Sequence, residues 1–165
     1  MRSLLSVALA ALALTACADS SDGLPPPDAN ADPNEVPTDP EALLSWLVAE
    51  PYLEWPAESA IHDSAGPHFG NVRTWVNPDL FASLEDGEAT HPVGAAAVKE
   101  LYAGSNSRQG WAVGVKVTDA GPGEDGWYWY EWFDGSVVAE GNGISLCSGC
   151  HSGGPDFVLT PFPLQ

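Results

Sequence analysis

Two runs of strictly alternating residues limit what this chain can fold into more than any other feature. In residues 111–118, Trp111, Val113, Val115 and Val117 fall on one side, and Ala112, Gly114 and Lys116 on the other. That is the period of two expected of a half-buried β-strand. Residues 126–133 repeat it in aromatic form, with Trp127, Trp129 and Phe133 opposed to Tyr128, Tyr130 and Trp132. Residues 71–77 and 94–102 are two further strands, the second placing Val98, Glu100 and Tyr102 opposite Ala97, Lys99 and Leu101. The links at 105–110 and 119–126 are turn-rich and of hairpin length, and Asp134-Gly135 is a short turn.

Two short helices flank these strands. Asp39-Pro40-Glu41 is an N-cap followed by proline at the first helical position. The helix it opens carries Leu43, Leu44, Leu47 and Val48 and ends near Glu50, because Pro51 follows. Asn77-Pro78-Asp79 opens the second, with Val76 and Phe81 as a hydrophobic staple and Gly87 as its stop. The expected fold class is α+β: a mainly antiparallel sheet with a few short flanking helices. At 165 residues the chain holds one domain, and no internal repeat is visible.

The first residues read as an address. Arg2 gives a positive start, residues 4–14 are apolar but too few to span a bilayer, and Leu14-Thr15-Ala16-Cys17 resembles a bacterial lipobox. The expected organisation is a signal peptide at 1–16, a lipidated acidic, proline-rich tether at 17–38 and a folded domain at 39–165. An ordinary signal peptide cleaved near Ala16, leaving Cys17 as a free thiol, is the alternative. Both routes export the chain, to a bacterial cell envelope where thiols meet oxidising conditions. Lysine and arginine number 5 against 23 aspartates and glutamates, a formal net charge of -18. This excludes nucleic acid and leaves the lipid as the only expected membrane contact; a basic redox protein is the partner such a charge suits.

If Cys17 is lipidated, Cys147 and Cys150 are the remaining cysteines, and they stand in Cys147-Ser148-Gly149-Cys150-His151. This is the C-x-x-C-H pattern of c-type haem attachment. Two thiols one helical turn apart reach the two vinyl groups of a haem, and the next histidine projects its imidazole toward the iron. A dithiol redox centre lacks the surrounding thioredoxin-like βαβ pattern. A structural zinc site lacks a second cysteine pair, and a Cys147–Cys150 disulfide would close too small a loop to stabilise much. The expected cofactor is one covalent haem c, with Cys147 and Cys150 binding it and His151 ligating iron.

Met1 is the only methionine and leaves with the signal peptide, so methionine cannot take the opposite face of the iron. His62, His68, His91, Lys99, Lys116 or no protein ligand remain as candidates. Each of the three histidines lies in a loop-like stretch, where a solvated side chain is the ordinary alternative.

His91-Pro92-Val93-Gly94, Val98-Lys99-Glu100-Leu101-Tyr102, Val113-Gly114-Val115-Lys116-Val117 and Gly126-Trp127-Tyr128-Trp129-Tyr130-Glu131 occur in that order. They are followed by the haem motif and Asp156-Phe157-Val158-Leu159-Thr160. Over residues 62–162 this resembles the cytochrome P-460 family, which includes the cytochromes c-prime-beta. The resemblance implies a mostly antiparallel β fold, often dimeric, holding a five-coordinate c-type haem. Some members oxidise hydroxylamine or handle nitric oxide, and the active form carries a lysine linked to the haem macrocycle.

Lys116 matches a recurrent family lysine by motif, and Glu131 is the candidate proton relay. Both have plain alternatives, a snorkelling strand lysine and a solvent-facing carboxylate. The expected function is binding or oxidation of a small nitrogen-oxide ligand at an open distal site. A tethered electron carrier with a six-coordinate, bis-histidine iron is the alternative. An aromatic binding lipoprotein without haem is a third.

Overall fold

In a computed structural model the chain is described over residues 23–68, 70–102, 107–121 and 124–165. The signal segment and Cys17 lie outside these residues.

The first helix, α1 (Pro40–Ala49), starts where Asp39 accepts a hydrogen bond from the Ala42 amide at 3.0 Å. It stops at Glu50, whose φ of 59° is left-handed, and Pro51 begins a single 3-10 turn (Pro51–Glu54). A two-residue strand β1 (His62–Asp63) leads to β2 (Asn71–Val76) and then α2 (Pro78–Glu85). Asn77 caps α2 by accepting from the Leu80 amide at 3.0 Å. Its side chain also accepts from Ala96 N and donates to Gly94 O, fastening the helix start to the following strand. Then come β3 (Ala96–Leu101), β4 (Gly110–Lys116), β5 (Trp127–Phe133), β6 (Ser136–Asn142) and α3 (Ser145–His151).

The six strands form one antiparallel sheet in sequence order, β1-β2-β3-β4-β5-β6. The fold is α+β, as the alternation and caps imply. Register settles which residues share a face. Trp75, Val98, Val113 and Tyr130 lie in one cross-strand row, and this face packs on Leu43, Trp46 and Leu47 of α1 and on Tyr52 and Trp55. Glu100 also belongs to this side, kept dry by three donors: Tyr52 Oη, Tyr102 Oη and Arg108 Nη1.

The opposite face carries Val76, Ala97, Gly114 and Trp129 in one row, and Thr74, Lys99, Ala112 and Glu131 in the next. Leu80, Ile144, Cys147, Phe157 and Val158 pack here, so α2, α3 and the C-terminal segment all cover this side.

Strand β6 was legible only as the far side of the Asp134-Gly135 turn; it is an exposed edge with Val138 unpaired in a bulge opposite Glu131 and Trp132. Part of the expected tether, residues 23–38, lies within the described residues. From Leu24 to Val36 the chain lies against the α1 side of the core, with Leu24, Ala31 and Val36 packed on it. The physical reason is that the indole N–H groups of Trp46 and Trp55 need acceptors. They find them in the carbonyls of Asp32 and Pro33, at 2.9 and 3.0 Å.

Candidate functional site

The residues singled out by the motif sit on α3, over the second face of the sheet. Cys147 and Cys150 are one turn apart on that helix, both as free thiols, Cys147 half-buried and Cys150 exposed. Burial, helped by the carboxylates of Glu131 and Asp125, pushes the Cys147 thiol up to about 11. A thiol held protonated in this way is a poor nucleophile for disulfide exchange, which counts against a dithiol redox centre.

His151 closes the helix with its ring on Trp129, 4.5 Å between centroids. Its Nδ1 lies 2.9 Å from the Phe157 carbonyl. A carbonyl only accepts, so Nδ1 carries the proton and Nε2 keeps its lone pair. Burial, with Lys99 and His68 nearby, lowers the pKa of His151 and favours this neutral imidazole.

Each contact has a local cause. Trp129 pairs with Gly114 across the sheet, where a Cβ would stand 2.9 Å from the indole ring, and its Nε1 donates to Asp125 at 2.8 Å. The Phe157 carbonyl is presented by a sharp reversal in which Asp156 (φ 41°) and Phe157 (φ 65°) are both left-handed. Asp156 is held there from two sides, by Lys116 Nζ at 2.6 Å and by the His91 amide at 2.8 Å. A Cβ on Gly154 would collide with the Val158 carbonyl at 2.0 Å, so this turn depends on glycine.

The other candidates separate clearly. Lys116 is buried in its ion pair with Asp156 and over the Trp127 ring, so it is neither the solvent-facing lysine of the plain alternative nor a free amine. Lys99, one row from Trp129 and two from Lys116 on the same face, is the lysine whose charge acts on His151; burial lowers its pKa, against the pull of Glu58 and Glu131. His62 is committed through both ring nitrogens, to Glu58 Oε2 at 3.0 Å and to the Asp63 carbonyl at 2.9 Å. His91 is buried, with Nδ1 2.8 Å from Ser83 Oγ and its ring edge-on to Trp127. His68 alone of the three has a ring contact with His151, with centroids 6.4 Å apart and planes at 68°. Its Nδ1 is 3.2 Å from Glu131 Oε2, so Glu131 is paired with a histidine rather than free in solvent.

The site therefore gathers two thiols, an oriented imidazole, a second imidazole with its carboxylate, and a lysine. Trp129, the Phe157 carbonyl and the Lys116–Asp156 clamp were not marked as site features in the sequence. The Asp156–Thr160 segment, part of the family resemblance, is the one signal for them in the sequence. Among the described residues no cluster of three or more His, Cys, Asp or Glu side chains is arranged for a bare metal ion, and no helix is long and apolar enough to cross a membrane. No protein-family model matches the chain, and no curated protein matches it.

Proposed function

We propose that the chain is an exported, lipid-anchored protein of the bacterial cell envelope carrying one covalent haem c on α3, and that it binds nitric oxide or hydroxylamine at the iron. Cys147 and Cys150 hold the haem through thioethers, each made by adding S–H across one vinyl double bond, a step that needs no oxidant. His151 would ligate its iron. The observation that carries this reading is the state of His151: Nδ1 is spent on the Phe157 carbonyl and the ring is braced on Trp129, which leaves Nε2 oriented and available. A ligating histidine needs this second contact to fix its tautomer.

The donor set fits the group. Two free thiols sit one turn apart on α3, directly followed by an imidazole with a free nitrogen, over the sheet face that carries Ala97, Ala112 and Gly114. Bound haem supplies an iron that coordinates a small nitrogen oxide and exchanges an electron with it. Glu131 and Lys99 share one cross-strand row of that sheet face and are groups able to take and return protons. The resemblance to the cytochrome P-460 family supports the same reading, because its motifs fall on β3, β4, β5 and α3 of one sheet face and its overlying helix. A homodimer is consistent with that family. Lys116 is engaged by Asp156, which leaves Lys99 as the candidate for the lysine link that the family resemblance implies.

The second reading, a tethered electron carrier serving a basic partner, is favoured by one observation, the closeness of His68 to His151. Nitric oxide separates the two. Added to the purified ferric or ferrous protein, it should shift the visible haem spectrum and saturate at one equivalent. A spectrum unmoved by excess nitric oxide would leave only electron transfer.

A further inference from the structure

We infer that the hollow between α2 and the connection from α2 to β3 binds a small organic ammonium ion with an apolar arm. The site is independent of the haem reading. The hollow, about 510 Å³, is lined by the carboxylates of Asp79, Asp86, Glu88 and Asp119, together with Ser83 and His91. No lysine or arginine lines it, and among the described residues none of the four carboxylates has an ion-pair partner.

Exposed carboxylates are common on a chain with a net charge of -18, and His91 is what sets this place apart. The residue is 4% exposed, its amide donates to Asp156 Oδ2, and its Nδ1 lies 2.8 Å from Ser83 Oγ. Its Nε2 is buried with no hydrogen-bond partner. A buried polar atom is costly to leave unpaired, so a ligand that completes it gains affinity there. With Nδ1–H donating to Ser83, Nε2 is an acceptor and calls for an N–H or O–H donor. Burial lowers the pKa of the ring, which keeps that lone pair free.

His91 and Glu88 also border a second hollow of about 240 Å³, walled by Leu84, Pro155, Val158 and Phe162. An acceptor and a carboxylate thus stand where a negatively charged space meets an apolar one. A bare metal ion does not suit it, because among the described residues no three His, Cys, Asp or Glu side chains are arranged to hold one. An alkylammonium does: its head lies among the carboxylates and donates to His91 Nε2, and its hydrocarbon arm lies against Leu84, Val158 and Phe162.

The test is calorimetric titration of the full processed chain, haem attached, with n-alkylammonium chlorides at about 0.15 M salt, which screens diffuse attraction. Hexylammonium should bind at one saturable site, and affinity should rise about threefold per methylene from propyl to hexyl. Hexanoate should not bind. Asp86→Asn combined with Glu88→Gln changes two exposed side chains, so the fold survives, and should weaken hexylammonium about tenfold or more. His91→Phe should weaken it as well, and His91→Gln, which restores an acceptor, should recover part of the loss. Glu41→Gln, on α1 across the sheet, should change nothing. The visible haem bands should stay still throughout, which separates this site from amine bound at iron. Absence of saturable binding, no dependence on arm length, equal weakening by Glu41→Gln, or haem bands that move with the titration would each overturn the assignment. None of these outcomes bears on whether Cys147 and Cys150 hold haem.

Discussion

His62 illustrates how a single side chain sets a pH dependence. Its ring donates to buried Glu58 and to the Asp63 carbonyl, and the bond to Glu58 is the main reason its pKa is raised. A raised pKa means the folded state holds the proton more tightly than the unfolded chain. The added stability is therefore complete below the unfolded value of about 6.5 and fades as pH rises through the folded one. The side chain is 39% exposed, so water screening limits the effect to about 1 kcal/mol at most. His62→Gln should lower stability to urea at pH 5 and make little difference at pH 9; equal loss at both would refute the pairing. The Lys116–Asp156 pair is a larger matter, because the two side chains are only 1% and 7% exposed. Lys116→Met strands a buried carboxylate and should cost about 3–5 kcal/mol. Adding Asp156→Asn should recover much of that loss in urea titrations, whereas additive losses would show the two groups to be independent.

At the scale of elements, the segment from Leu24 to Val36 acts as part of the domain. It covers α1 and supplies the acceptors for Trp46 and Trp55. A chain beginning at Asp39 should be less stable than one beginning at Gly23 by about 2 kcal/mol, from lost burial and two indole hydrogen bonds. Equal midpoints in denaturant would return the segment to the status of a tether. Helices α1 and α2 were legible because Asp39-Pro40 and Asn77-Pro78 are start signals that need only local chemistry. Strands β3, β4 and β5 were legible from the alternation of residue types along each, although β4 and β5 are buried on both faces. Strand β6 was not, since its valines are exposed and its bulge breaks the period. Nor were the roles of Lys99 and Lys116 separable: both project from one sheet face, and only the register and the distant Asp156 assign them. The same holds for His68, one of three loop histidines in sequence and the one beside His151 in space.

For the whole molecule, a net charge of -18 acts on stability as well as on partners. Self-repulsion in the compact state is relieved by screening, so Tm should rise as salt is increased from low to moderate concentration. A falling Tm would mean that buried ion pairs dominate the balance. On α3, two thiols and an oriented histidine come together over the Trp129 side of the sheet. The most direct measurement is the intact mass of protein made in a host that attaches haem to exported chains, taken after denaturation and acid-acetone extraction. The prediction is the processed chain plus one haem, falling to the bare chain when Cys147 and Cys150 are both replaced by serine. A wild-type protein that gives up its haem to the solvent, leaving the mass of the bare chain, would contradict it.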